Sequence, residues 1–333
     1  MSWNTIVGHD WAVALLRGAI ANGRIGHAYL VTGAEQIGKT TLARIFAQAL
    51  NCEAEPEKRP CGICRSCELI AADRHPDIRM VEPEMSGRGK YTLKIDAIRE
   101  LQRDLNLAAY EAKYKVAILT RFDAATTGAA NAFLKTLEEP PGNVVLLLTA
   151  ADADTLLPTI VSRCRTIGLR PLPADLIEQT LATRLGVKAD RAELLAHLAD
   201  GRLGWAIMAH EDETLLTERR EQLDALYTAV KGSRVERFKL AEKLSNKAEE
   251  LPDILRTWLS WWRDLTLMAQ ANGHSLTITN IDEQENLGKL AKNWDRRDIF
   301  ASLKQTDLAL WQLANNGNTR LVIENLLLTY PSL

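Results

Sequence analysis

The phrase Gly33-Ala-Glu-Gln-Ile-Gly38-Lys39-Thr40 constrains this chain more than any other stretch of it. It follows Ala28-Tyr-Leu-Val-Thr32, an apolar β-prone run, and precedes Thr41 to Leu50, which reads as a helix. In that context of strand, glycine loop and helix, the phrase reads as a phosphate-binding loop. Glycines let backbone N–H groups curl round phosphate oxygens, and the helix N-terminus adds a favourable dipole. The nucleotide-binding residues on this reading are Gly33, Gly38, Lys39, Thr40 and Thr41. Lys39 reaches the outer phosphates and the Thr40 hydroxyl ligates magnesium, so the expected ligand is ATP or ADP with Mg2+. The alternative is a chance glycine turn before a helix.

A P-loop protein that hydrolyses its nucleotide needs a second strand ending in carboxylates, one for the metal and one to activate water. The matching strand, Lys115 to Leu119, runs instead into Thr120-Arg121-Phe122-Asp123. Thr120 carries no charge, and the Arg121 guanidinium stays protonated and cannot act as a base. Asp123 comes later, where it reads as a cap for the next helix. Loss of a general base costs about 10²–10⁴ in rate. Either the loop binds without firing, or a carboxylate from elsewhere, such as Asp123, substitutes.

Cys52, Cys61, Cys64 and Cys67 form a C-x8-C-x2-C-x2-C group, leaving Cys164 apart. Met1-Ser-Trp-Asn-Thr lacks the basic and apolar regions of an export signal, so a reducing, cytoplasmic setting is expected. Four thiolates there suit tetrahedral zinc, and a closed four-ligand site is structural rather than catalytic. His75 is a further possible ligand, but with four cysteines in place it reads as a turn or packing residue.

A length of 333 residues suggests two or three domains. The net charge of −2 argues against a protein that coats DNA generally, while leaving room for a local basic patch. No run approaches the roughly 18 apolar residues that span a bilayer, so no membrane partner is expected. Ile78 to Val81 and Val144 to Thr149 are further strand-length runs, and Ile95 to Leu107 and Ala124 to Glu138 have helical spacing. This βα rhythm predicts a parallel sheet covered by helices. Two prolines in Leu169-Arg-Pro-Leu-Pro173 punctuate the chain. Short helices follow from Ala174 to His210, broken at Gly186 and at Gly201 to Gly204. Past Glu211 the pattern is helical, with breaks at Asn272 to Ser275 and Asn315 to Asn318. Trp258, Trp261 and Trp262 share one helical face and read as core or subunit interface.

Asn131-Ala-Phe-Leu-Lys-Thr-Leu-Glu-Glu-Pro-Pro141 and Ser162-Arg163-Cys164, with the P-loop and cysteine group upstream, strongly resemble the bacterial clamp-loader AAA+ ATPases of DNA polymerase III. The motifs run over roughly residues 3–210. The resemblance implies an α/β then all-α architecture: a P-loop AAA+ parallel-sheet domain at 1–170 with a zinc module at 52–67, a helical lid at 171–210 and a helical oligomerisation collar at 211–333. The family's motor (gamma/tau) subunits carry Asp-Glu where this chain has Thr120-Arg121, and a lid arginine in a Gly-Ser-x-Arg pattern. Gly201-Arg-Leu-Gly204 corresponds to that pattern, with Gly204 at the arginine and Arg202 two positions early. Both departures resemble the non-firing, delta-prime branch.

In that family the Ser-Arg-Cys arginine, here Arg163, enters the neighbouring subunit's ATP site as a finger in trans. The plain alternative is a surface salt bridge. The implied partners are the motor subunits and the delta subunit in a hetero-oligomeric ring, the sliding clamp, and primer–template DNA. Lys94, Arg99 and Arg103 recur at helix-face spacing after Tyr91, and the resemblance implies that such a helix meets primer–template DNA at its phosphates. With Glu100 and Asp104 interleaved, they read equally well as a solvated charged face. Ser162 and Cys164 read as structural, with Cys164 on a strand. An active motor ATPase using Asp123 is the competing reading, and a zinc-dependent nucleic-acid module is a third.

Overall fold

Five strands whose residues alternate between two apolar layers form the centre of the first unit. The computed structural model describes residues 2–85, 91–270 and 277–331. The sheet contains β1 (Ala28–Thr32), β2 (Ile78–Val81), β5 (Lys115–Leu119), β6 (Val144–Ala150) and β7 (Arg165–Gly168). A separate antiparallel pair is made by β3 (Glu84–Met85) and β4 (Tyr91–Thr92). The sheet order is β2-β5-β6-β1-β7, all parallel. Every residue of β1, β5 and β6 is buried, as expected of strands covered on both faces, which read as unbroken apolar runs.

Period-two alternation assigns the layers. Tyr29, Val31, Val116, Ile118, Val145 and Leu147 pack with α1 (Asp10–Ala21), α2 (Lys39–Asn51) and α3 (Arg65–Ala71). Ala28, Leu30, Ala117, Leu119, Leu146 and Leu148 pack with α4 (Ile95–Asn106), α5 (Thr127–Glu138) and α6 (Pro158–Val161). The strand order matters for function. Only β6 lies between β1 and β5, so the loops leaving the carboxyl ends of β1 and β5 are brought close, at the kind of place where open α/β sheets bind ligands.

Asp123 does not cap α5. It lies in a short 3-10 turn, Phe122–Ala124, and the cap is Thr126, whose side chain accepts from Ala129 N at 3.2 Å. Cys164 sits in the bend before β7 rather than on a strand. Burial pushes its thiol pKa up to about 12.

The first unit comprises Met1–Leu172 with Gly201–Gly204, and the second Pro173–Asp200 with Trp205–Leu333. The residues expected as a separate lid thus divide between these two groupings. The helices of this remainder are α7 (Ala174–Leu185), α8 (Ala189–Leu198), α9 (Leu203–Glu211), α10 (Thr214–Lys231), α11 (Arg234–Ser245), α12 (Leu251–Gln270), α13 (Gln284–Asn293), α14 (Arg296–Ala314) and α15 (Thr319–Thr329). Gly186 ends α7 at φ +65°, a conformation that favours glycine. Trp258, Trp261 and Trp262 of α12 are fully buried core. Trp262 stacks on Trp294 at 5.7 Å, and Trp258 Nε1 donates to Gln222 O at 2.7 Å. The buried Arg237 guanidinium donates to the carbonyls of Leu327, Tyr330 and Pro331, satisfying the end of α15. The expected break at Asn272 to Ser275 lies outside the described residues. No described helix is long and apolar enough to cross a membrane.

Candidate phosphate-binding site and metal centre

The P-loop joins β1 to α2 through three left-handed residues: Gly33 at φ +140°, Gln36 at +61° and Gly38 at +110°. Glycine is required at 33 on two counts, because a Cβ there would stand 2.8 Å from Leu169 O. Lys39 begins α2 and is 9 % exposed. Its ammonium donates to the loop carbonyls of Gly33 at 2.6 Å and Ala34 at 2.8 Å. Burial lowers its pKa, opposed by the charges of Glu35 and Asp123 and reinforced by that of Arg121. Thr40 and Thr41 follow on the first turn of α2, half-buried. The cradle of glycines, helix N-terminus and cation is the donor set a nucleoside polyphosphate requires.

At the end of β5, Thr120 is buried and its N–H donates to Val81 O at 2.9 Å. Arg121 is left-handed at φ +47°, and its N–H donates to Thr149 Oγ1 of β6 at 3.0 Å. The side chain reaches back over the P-loop: Nη2 lies 2.8 Å from Glu35 Oε1, and the guanidinium stacks 4.0 Å from the centre of the Tyr91 ring. A cation thus stands beside the P-loop at the end of β5. Asp123 is exposed, and its charge acts on Lys39.

Gly204 makes a second contact to the same loop. Its N–H donates to Gln36 O at 2.9 Å, and a Cβ there would come within 2.5 Å of that oxygen. No side chain, arginine included, fits at 204 in this backbone. Glu35, Tyr91 and Gln36 carried no sequence signal. Nor did His9, which is 3 % exposed with a lowered pKa, caused first by burial, and with Nε2 lacking a hydrogen-bond partner among the described residues.

The four cysteine sulfurs all lie within 4.8 Å of one another, with Cys52 and Cys64 at 4.0 Å. Four thiolates about 2.3 Å from a tetrahedral zinc ion would stand about 3.8 Å apart, so the donor set fits the metal. Cys52 ends α2, Cys64 caps α3 and Cys67 lies in the first turn of α3. Backbone N–H groups of Ala54 and Cys61 point at Cys52 Sγ, and that of Cys64 at Cys61 Sγ. Burial pushes the Cys52 and Cys67 thiols up, whereas the N–H of Ile63, above all, holds Cys61 down at about 7. A divalent cation would draw the protons from all four. His75 is occupied elsewhere: its Nδ1 accepts from Asp77 N at 3.2 Å, so Nε2–H faces Ser66 Oγ at 3.1 Å.

Arg163 follows α6. Its Nη1 donates to Thr159 O at 2.8 Å, and its Nη2 pairs with Glu138 Oε1 at 2.7 Å, both side chains part-exposed. Lys94 precedes α4 rather than lying on it and pairs with Glu84 at 2.9 Å. Arg99 meets Asp96 at 3.4 Å, while Arg103 is exposed without an ion pair among the described residues.

A family model described as DNA polymerase III, delta subunit, matches residues 8–173. The delta' subunit of DNA polymerase III from Escherichia coli is 31% identical over 310 residues, 92% of this chain and 89% of that one. The gamma/tau subunit from Mycobacterium tuberculosis is 36% identical over 181 residues, 54% of this chain but 31% of that protein, so the chain spans about a third of that relative's length. A gamma subunit-related protein of known structure from Thermotoga maritima covers 95% of the chain at 20% identity with a TM-score of 0.48. With a delta' relative matched almost end to end, the chain belongs to the delta-prime family of DNA polymerase III clamp-loader subunits.

Proposed function

We propose that this chain is a non-firing, stator-like subunit of the clamp loader, which binds nucleotide without hydrolysing it and lends Arg163 to a neighbouring ATPase. The observation that carries the reading is Arg121, whose guanidinium stands over the P-loop against Glu35 where a hydrolysing site needs a carboxylate. Gly204, backed onto Gln36 O, supports it by leaving no room for a lid arginine. The loop residues Gly33, Gly38, Lys39, Thr40 and Thr41 are the nucleotide ligands in this proposal. Cys52, Cys61, Cys64 and Cys67 hold a structural zinc ion that ties the start of α3 to the end of α2.

Arg163 acts in trans. A guanidinium stays charged and forks onto phosphate oxygens, so it stabilises the charge that develops on a transferring phosphoryl group. To do so it must leave Glu138. The partners are gamma/tau motor subunits and the delta subunit in a ring joined through the collar, residues 211–333, with residues 171–210 as lid. The assembled ring places the sliding clamp on primed DNA, with Lys94, Arg99 and Arg103 available to its phosphates. Arg163→Ala tests the reading: ring assembly by gel filtration stays intact while ATP turnover of the reconstituted loader falls. Unchanged turnover overturns it.

A second reading, an active motor using Asp123, rests on the exposure of that carboxylate and its electrostatic reach to Lys39. Lys39-dependent hydrolysis by the isolated chain would favour it.

A further inference from the structure

Arg121 has features that a merely lost carboxylate does not explain. Its backbone is held left-handed at φ +47°, a conformation that strains a residue other than glycine and gathers at functional sites. Two groups aim its side chain: Thr149 Oγ1 fixes the backbone N–H, and the Tyr91 ring supports one face of the guanidinium. Among the described residues its only side-chain hydrogen bond goes to Glu35, itself a P-loop residue and half-exposed. The other donors of the fork are unengaged there. Arg121 and Lys39 lie close enough for the charge of one to act on the other, so both cations serve the same loop.

We propose that Arg121 is a phosphate ligand of this P-loop, exchanging Glu35 for phosphate oxygens, and that the loop therefore holds a nucleoside di- or triphosphate without a divalent metal. This rests on the nucleotide-binding reading above. The metal part of that reading is what the residues do not fit: Thr120 and Arg121 offer no carboxylate at the end of β5, and a guanidinium there repels a cation while neutralising the same phosphate charge. Glu35 acts as its stand-in anion until nucleotide arrives.

The test is binding of a fluorescent ADP analogue to the full chain, in excess magnesium and in excess EDTA. Expected are dissociation constants that agree within about threefold in the two buffers, with Arg121→Ala weakening both by about 10- to 100-fold, the scale of a charge-assisted fork. Glu35→Gln keeps the guanidinium in place and removes its competitor, and so tightens binding in EDTA. Thermal melts of each variant separate lost affinity from lost fold. Binding that needs magnesium and ignores Arg121→Ala overturns the inference and leaves the P-loop reading standing. No binding in either buffer, with the wild-type chain matching Lys39→Ala, overturns both.

Discussion

Arg163 is held against its own subunit, and the strength of that hold is open to measurement. Its Nη2 lies 2.7 Å from Glu138 Oε1, and the two side chains are 35% and 51% exposed. Ion pairs this open to water contribute about 0.2–1 kcal/mol. If the finger must leave Glu138 to reach a neighbour's phosphates, the pair reduces the population of competent Arg163 by about 1.4- to 5-fold, since about 1.4 kcal/mol is a factor of ten. Glu138→Gln keeps the shape and removes the charge. Turnover of the reconstituted loader should therefore rise by about 1.4- to 5-fold, and by less as ionic strength increases, because salt already weakens the native pair. Arg163→Ala runs the other way, with a fall of up to about 10³–10⁵. A Glu138→Gln fall that parallels Arg163→Ala would refute the reasoning, because the glutamate would then be positioning the finger rather than competing for it.

Asp77 is 3 % exposed, and its carboxylate accepts the N–H groups of Tyr110, Glu111 and Ala112, each at 2.8 Å. Burial opposes the charge, but the three donors prevail and hold the pKa below the usual value. Asp77→Asn should cost about 2–3 kcal/mol in chemical denaturation at neutral pH. With the folded pKa lowered, this contribution is fully present above the unfolded value near 3.9 and is lost as pH falls through the folded one, so wild type and variant should converge in acid. Elemental analysis should find one zinc ion per chain, and Cys61→Ser with Cys64→Ser should release it and lower the melting temperature; a metal-free wild-type protein refutes the cysteine reading. Gly204→Ala forces a Cβ onto Gln36 O and should cost about 1–3 kcal/mol by thermal melt; an unchanged melting temperature would show that the loop gives way freely.

What the sequence conveyed was whatever local pattern encodes. The strands β1, β5 and β6 were legible because buried parallel strands are continuous apolar runs, and the edge strand β2 because Ile78, Met80 and Val81 are apolar although none of its residues is buried. The edge strand β7, Arg165–Gly168, was not, since only Ile167 of it is buried. The two-residue strands β3 and β4 are too short to leave a period. Thr126 rather than Asp123 caps α5 because the chain makes a 3-10 turn first. The cysteine group could be read because its ligands are close in sequence. The partners of Arg121 and Arg163 could not. Glu35 lies 86 residues before Arg121, and the two meet only because the sheet places β1 and β5 on either side of β6. Gly204 was legible as a glycine, but its close contact with the Gln36 carbonyl was not.

On the proposed non-firing reading, its two supports are coupled through adjacent loop residues, Arg121 through Glu35 and Gly204 through Gln36. This coupling predicts that restoring a carboxylate alone will not restore hydrolysis. Arg121→Glu would set a second carboxylate beside Glu35, in place of an ion pair of 2.8 Å. Two like charges about 4 Å apart repel by about 1 kcal/mol in water and about 4 kcal/mol at the dielectric of a protein surface. With both side chains about half-exposed, the lower half of that range applies. The new carboxylate would turn away, and phosphates approaching the loop would meet two anions where Arg121 and Glu35 were neutral together. Arg121→Glu should therefore bind nucleotide more weakly than wild type and remain inactive as an isolated chain. Adding Glu35→Gln should recover affinity in magnesium, but the missing lid arginine should still hold turnover low. Steady-state hydrolysis by Arg121→Glu alone would refute the coupling, because one side chain would then have been all that separated this chain from a motor.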